Sequence, residues 1–111
     1  MASPAPTGTL SFYILTYMKY RKTGRYIYRN IAGEGVLVPI KDGVCNLENM
    51  LLLNPTATAI WEQIKDQDEF EQASLLGWML EEYEVETSVA EADMKTVLDE
   101  LVGSRCLAEC S

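Results

Sequence analysis

The side chains able to do chemistry in this 111-residue chain are three cysteines and seventeen carboxylates, with no histidine at all. Without imidazole, Ser/His and Cys/His nucleophilic pairs are absent, and so is any His/Cys zinc site. Cys106 and Cys110 form a C-x3-C pair that lacks two further soft ligands, and Cys45 stands far from both. An odd number of cysteines argues against a secreted disulfide framework, so three free thiols in a reducing cytoplasm are expected. Glu81, Glu82, Glu84 and Glu86 crowd together as a solvated face does, not as an acid–base pair. Gly33-x-Gly35 sits between apolar runs and does not precede a helix, so it is no phosphate loop. The expectation is a protein without catalytic residues, metal or cofactor. Binding is what remains.

Charge narrows the partner. Residues 1–33 hold Lys19, Arg21, Lys22, Arg25 and Arg29 and no acid, while the rest of the chain has a balance of −13, leaving −8 overall. An acidic body repels a phosphate backbone. Lys19 to Arg29 interleaves bases with tyrosines, which taken alone suits nucleic acid, but no second basic patch supports it. Neither nucleic acid nor membrane is expected as a partner: the apolar run Leu10 to Met18 is far shorter than the ~20 residues that span a bilayer.

The elements that must position a binding surface follow in order. Residues 1–18 read as an extension, disordered over Met1–Thr9, with Leu10–Tyr17 as an extra strand, short helix or docking arm. The domain proper is 19–111. Tyr26–Ile31 reads as a first strand, and Val36, Val38 and Ile40 alternate with Leu37 and Pro39 as a second. Asp42-Gly43 supplies a hairpin turn, and Val44 to Leu53 continues as a third strand. Asn54-Pro55 then caps a first helix, Pro55–Lys65, with Ala57, Ile60, Trp61 and Ile64 on one stripe. A second helix is expected from Asp68, boxed by Glu71, with Leu75, Leu76, Trp78, Met79, Leu80 and Tyr83 as its apolar face. Gly77 inside it suggests a close approach. The third has Ser88 as N-cap and Ala90, Met94, Val97, Leu98 and Leu101 inward, ends near Gly103, and leaves Leu107 for a last extended piece. A three-stranded antiparallel sheet followed by three helices is an α+β plan of the winged helix-turn-helix kind.

The same residues carry a family resemblance. Val36-Leu37-Val38-Pro39, Asp42-Gly43, Leu53-Asn54 and Ile60-Trp61-Glu62, followed by Glu81–Val85 and Ala90–Asp93, stand in the order and spacing of the PqqD family. The resemblance covers about Lys19 to Leu107 and implies a winged-helix recognition domain, without catalytic activity. Such domains hold the leader region of a ribosomally made precursor peptide and present it to a modifying enzyme, often a radical S-adenosylmethionine protein. It further implies that the leader lies antiparallel to the third strand, at Val44, Cys45, Asn46 and Leu47, against Asp93, Val97, Glu100 and Leu101 of the third helix. The extension before Lys19 departs from the pattern and is suited to covering a sheet edge or joining two copies as a homodimer.

Two other readings compete. A winged-helix nucleic-acid binder would read DNA with a helix, yet the third helix carries Glu91, Asp93, Asp99 and Glu100 against Lys95 alone. A small structural subunit would dock to an enzyme through the Leu10–Tyr17 arm.

Overall fold

The computed structural model describes residues 18–110, so the expectations for Met1–Thr9 and Leu10–Tyr17 lie outside the described residues. In chain order the elements are β1 (Lys19–Lys22), β2 (Tyr26–Ile31), β3 (Glu34–Lys41), β4 (Val44–Cys45), a 3-10 turn (Leu47–Asn49) and β5 (Leu51–Leu52). Helix α1 (Pro55–Ile64), β6 (Glu69–Glu71), α2 (Gln72–Glu82), α3 (Thr87–Gly103) and β7 (Leu107–Cys110) complete the chain. The fold is mixed α/β, with an antiparallel sheet built on the β2–β3 hairpin and three helices, of which α1 packs directly on that sheet. No helix among the described residues is long and apolar enough to cross a membrane.

Alternation dictates the main sheet. Tyr26 and Tyr28 on β2 face Pro39 and Leu37 on β3, and both tyrosines lean on the indole of Trp61 in α1, at 5.0 and 5.8 Å between ring centroids. Trp61, Ile60, Ile64 and Leu37 are almost wholly buried, and Met94, Leu98 and Leu101 of α3 join them in one core. The stripe expected on α1 is therefore the core stripe. Its N-terminus is capped as the sequence implies: Asn54 Oδ1 accepts from the Ala57 amide at 2.8 Å, an arrangement that contributes about 1 kcal/mol. Asp42 and Gly43 both adopt positive φ, 55° and 78°, which is the backbone a two-residue hairpin needs.

Gly35 marks where β3 meets α1. A Cβ there would lie 3.0 Å from both Leu53 Cδ1 and Thr58 Oγ1, tighter than ordinary contact, so any larger residue would have to push these side chains aside. The gap lets the Thr58 hydroxyl enter the ladder: Gly35 N–H donates to it at 3.0 Å, and it donates to the Leu53 carbonyl at 3.3 Å. Nearby, Glu62 accepts from Lys65 Nζ, the Tyr28 hydroxyl and the Asn30 amide, tying α1 to β2 and holding its carboxyl down to about 2. A depressed carboxylate stabilises the fold fully above its ordinary value near 4.5 and loses that contribution as pH falls towards 2.

Four sequence expectations give way to tertiary structure. The residues read as a capping box, Asp68 to Glu71, instead form strand β6, and α2 begins at Gln72. Phe70 alternates with exposed Glu69 and Glu71 and stacks on Tyr20 of β1 at 5.6 Å, so strand pairing outcompetes a local cap. Helix α3 starts at Thr87, with Glu86 rather than Ser88 at the N-cap. Gly77 is exposed with nothing within 4 Å of its would-be Cβ, so no close approach explains it. The third strand is not continuous: the polar Asn46–Asn49 segment coils into a 3-10 turn between β4 and β5.

A second sheet, ordered β6-β1-β7, accompanies the first. Its central strand, β1, comes from the basic stretch Lys19–Lys22, and Tyr20 enters the core with its hydroxyl donating to Gln72 Oε1 at 3.2 Å. Burial pushes that phenol up to about 12. Helix α3 ends in a Schellman turn: Cys106 N–H reaches the Leu101 carbonyl, and Arg105 N–H reaches that of Val102, both at 3.0 Å. The left-handed position usually given to glycine is filled by Arg105, at φ 63°.

Candidate functional site

The edge of the main sheet opposite β2 is built from β4 and β5, both pairing with β3. Register decides which main-chain groups face outward. Asn46 N–H bonds inward to the Pro39 carbonyl at 2.7 Å, and Leu53 N–H bonds to Gly35 at 2.8 Å. Ile40 and Val36, opposite Cys45 and Leu52, turn their own hydrogen bonds towards β2, as Ile40 N–H to the Arg25 carbonyl at 2.9 Å illustrates. Alternation therefore leaves the N–H and C=O of Cys45 and Leu52 pointing away from the sheet. Among the described residues no strand covers this edge.

An unpaired edge is a template for another chain, and natural proteins usually blunt it. Here the 3-10 turn breaks it in the middle, so it offers two short docking sites instead of one long one. The turn also exposes apolar side chains: Val44, Leu47 and Leu52 are 67, 69 and 70% exposed, and Met50 is 42% exposed. Beside the edge lies a cleft of about 1040 Å³, walled on one side by the β3–β4 hairpin and on another by the end of α3 at Gly103–Arg105.

The residues expected to bind divide between surface and core. Val44 and Cys45 form β4 and are exposed, Cys45 with its outward main chain. Asn46 and Leu47 lie beyond the strand, at the start of the 3-10 turn, so the expected continuous strand Val44–Leu47 is corrected to two residues. Polar Asn46, Glu48 and Asn49 favour local turns over a ladder, which is the reason. On α3, Asp93 and Glu100 are exposed, whereas Val97 and Leu101 are 7 and 1% exposed and serve the core. The helix-side wall of the cleft is Gly103, Ser104 and Arg105 instead. Met50, Leu51 and Leu52, placed on the third strand from sequence, are not among the expected site residues, and neither are Arg25, Lys41 and Arg105 of the cleft. The apolar run after a polar turn was a signal for the first group. For the second, only tertiary structure brings them together.

The sequence profile of the PqqD family, coenzyme PQQ synthesis protein D, matches residues 13–107, most of the chain. The chain belongs to the PqqD family. Among solved structures this PqqD-family chain resembles TbiB1, determined in complex with the TbiA(beta) leader peptide. The TM-score is 0.65 at 18% identity, over 78% of this chain and 93% of TbiB1, a likeness of fold. No curated protein sequence matches it.

No group of three His, Cys, Asp or Glu side chains among the described residues is placed to hold a metal ion. All three cysteines of this PqqD-family chain are free: Cys45 exposed, Cys110 half-buried and Cys106 buried, its thiol pushed up to about 11 by burial. A thiol-reactive dye added to native protein is expected to label Cys45 promptly and Cys106 only after unfolding. Three equally fast thiols in the native state would contradict the placement of Cys106.

Proposed function

We propose that this chain is a non-catalytic recognition domain for the leader region of a ribosomally synthesised precursor peptide. The leader adds as an antiparallel strand along Val44–Leu53, pairing with the outward main chain of Cys45 and Leu52 on either side of the 3-10 turn. Main-chain hydrogen bonds supply affinity, and the exposed Val44, Leu47, Met50 and Leu52 supply apolar contacts. The observation that carries this reading is the uncovered, outward-facing edge of β4 and β5 beside a cleft. Membership of the PqqD family and the fold shared with TbiB1, itself solved with a leader peptide, support it.

The domain presents the bound precursor to a modifying enzyme, for which a radical S-adenosylmethionine protein is our first candidate. In this reading β2, β3 and the broken third strand are the wing of a winged helix-turn-helix, turned from nucleic acid to peptide. Consistent with that, Lys95, the single base on α3, is engaged by Asp99 at 2.7 Å, leaving Glu91, Asp93 and Glu100 to repel a phosphate backbone.

The test is amide-shift mapping by NMR with a leader peptide synthesised from the precursor gene beside this one. Shifts are expected to concentrate at Val44–Leu53 and at Gly103–Arg105. Shifts confined to β1, β6 and β7, with this edge silent, would place the site elsewhere.

A further inference from the structure

The cleft beside the open edge collects positive charge in a chain whose net charge is −8. Arg25 comes from the β1–β2 connection, Lys41 from the end of β3 and Arg105 from the turn after α3, and all three line it. The ion pairs among the described residues are Lys19–Glu71, Lys65–Glu62 and Lys95–Asp99, so none of the three has an Asp or Glu carboxylate of the described residues within 4.0 Å. Asp42 and Glu48 also line the cleft without pairing to them.

Arg105 adds an independent observation. It holds the left-handed position of the Schellman turn, at φ 63°, where a side chain is disfavoured relative to glycine. A glycine is present nearby, Gly103, yet stands two residues too early to take that role. The negative end of the α3 dipole favours a base at this spot. It does not account for two more arriving from the opposite wall. Residues held in a disfavoured backbone conformation gather at ligand sites.

We propose that this cleft is an anion subsite that receives an acidic side chain of the bound leader, an Asp or Glu held among Arg25, Lys41 and Arg105. The proposal rests on the leader-binding reading and specifies the chemistry of its ligand. A peptide strand on β4 runs directly past the cleft mouth, since Asn46, Met50 and Leu51 line both the edge and the cleft. A carboxylate on that strand meets three cations that pair with no carboxylate among the described residues. Arg offers it a planar pair of donors, and Lys a point charge.

The experiment uses fluorescence polarisation with two labelled peptides: the leader encoded by the adjacent precursor gene, and the same leader with every Asp and Glu changed to Asn and Gln. Neutralising Arg25, Lys41 and Arg105 together to Gln is expected to weaken the native leader about tenfold or more, since an exposed charge pair is worth roughly two- to fivefold. The same triple change should leave binding of the neutralised leader within about twofold, and should flatten the salt dependence of the native one. Arg105→Gly separates charge from structure: it relieves the left-handed backbone, so the melting temperature holds or rises, while affinity for the native leader falls about threefold. The proposal is overturned if the folded triple variant binds the native leader as tightly as wild type, or loses equal affinity for both peptides. If wild type binds neither peptide, the leader-binding reading fails and takes this subsite with it, a result distinct from the other two.

Discussion

Proline at position 52 is expected to weaken leader binding about 10- to 100-fold while the domain stays folded. Leu52 sits opposite Val36, with its N–H turned away from β3, so the substitution removes no hydrogen bond from the protein's own sheet. Edge positions whose N–H faces solvent tolerate proline, and Leu51 before it is already extended. What is lost is a donor to the incoming strand, together with the pairing geometry around it. One such loss costs roughly 1.4–2.7 kcal/mol, which is the stated range in affinity. Cys45→Pro should act alike at β4, where the N–H also points outward. Leu51→Pro is the internal contrast, because its N–H faces Leu37 and the change should damage the fold itself. Leu52→Ala isolates the side chain's share. The measurement is leader affinity by fluorescence polarisation beside a thermal melt of each variant. Full affinity in both Leu52→Pro and Cys45→Pro would show that the leader does not pair along this edge.

The largest effect on stability belongs to Trp61. Its indole is 1% exposed and meets Tyr26 in a T-shaped pair and Tyr28 in a tilted one, so it joins α1 to the β2–β3 sheet. Trp61→Ala should cost about 3–5 kcal/mol, through lost burial and a cavity that the surrounding helices cannot close. Small domains have roughly 5–15 kcal/mol in total, so the variant sits at the margin of folding. Urea unfolding followed by circular dichroism measures this directly. Trp61→Phe keeps most of the burial and should lose less. A midpoint unchanged by Trp61→Ala would mean that the indole is not the keystone of this core.

Periodicity made the core legible from sequence. The stripe of α1, the inward face of α3, the alternation of β3 and most of the α2 face rest on local patterns that the tertiary structure uses, although Tyr83, expected on the α2 face, lies beyond the helix end and is exposed. Asn54 at the N-cap and Asp42-Gly43 at the hairpin were equally readable, because each residue type satisfies a backbone need within a few positions. The second sheet was not. β1 is a short polar-looking run whose single buried side chain is Tyr20, and its partners lie far off in sequence. β6 carried a helix-start signal that pairing with β1 overrides. For the edge proposed to bind, the extended chain after Val44 was legible, while its division by the Leu47–Asn49 turn was not: three polar residues in a strand can be read either as an exposed face or as a break. The family resemblance named residues on α3, yet Val97 and Leu101 are committed to the core. The cations at the cleft came from three elements that nothing in the sequence joins.

The β6-β1-β7 sheet also says something about the order in which the chain assembles. The β2–β3 hairpin closes through a two-residue turn and the helices through local contacts, all early events. β1 must instead find β7, pairing Lys22 with Leu107 across nearly the whole described chain. Closing so long a loop costs entropy before any contact repays it, so topology makes this the slow step. The edge proposed for the leader is made of shorter-range pairings, β4 and β5 with β3, and needs no strand from β7. The pairings of the proposed edge span few residues, whereas β1 finds its final partner only when β7, the last of the described elements, is available.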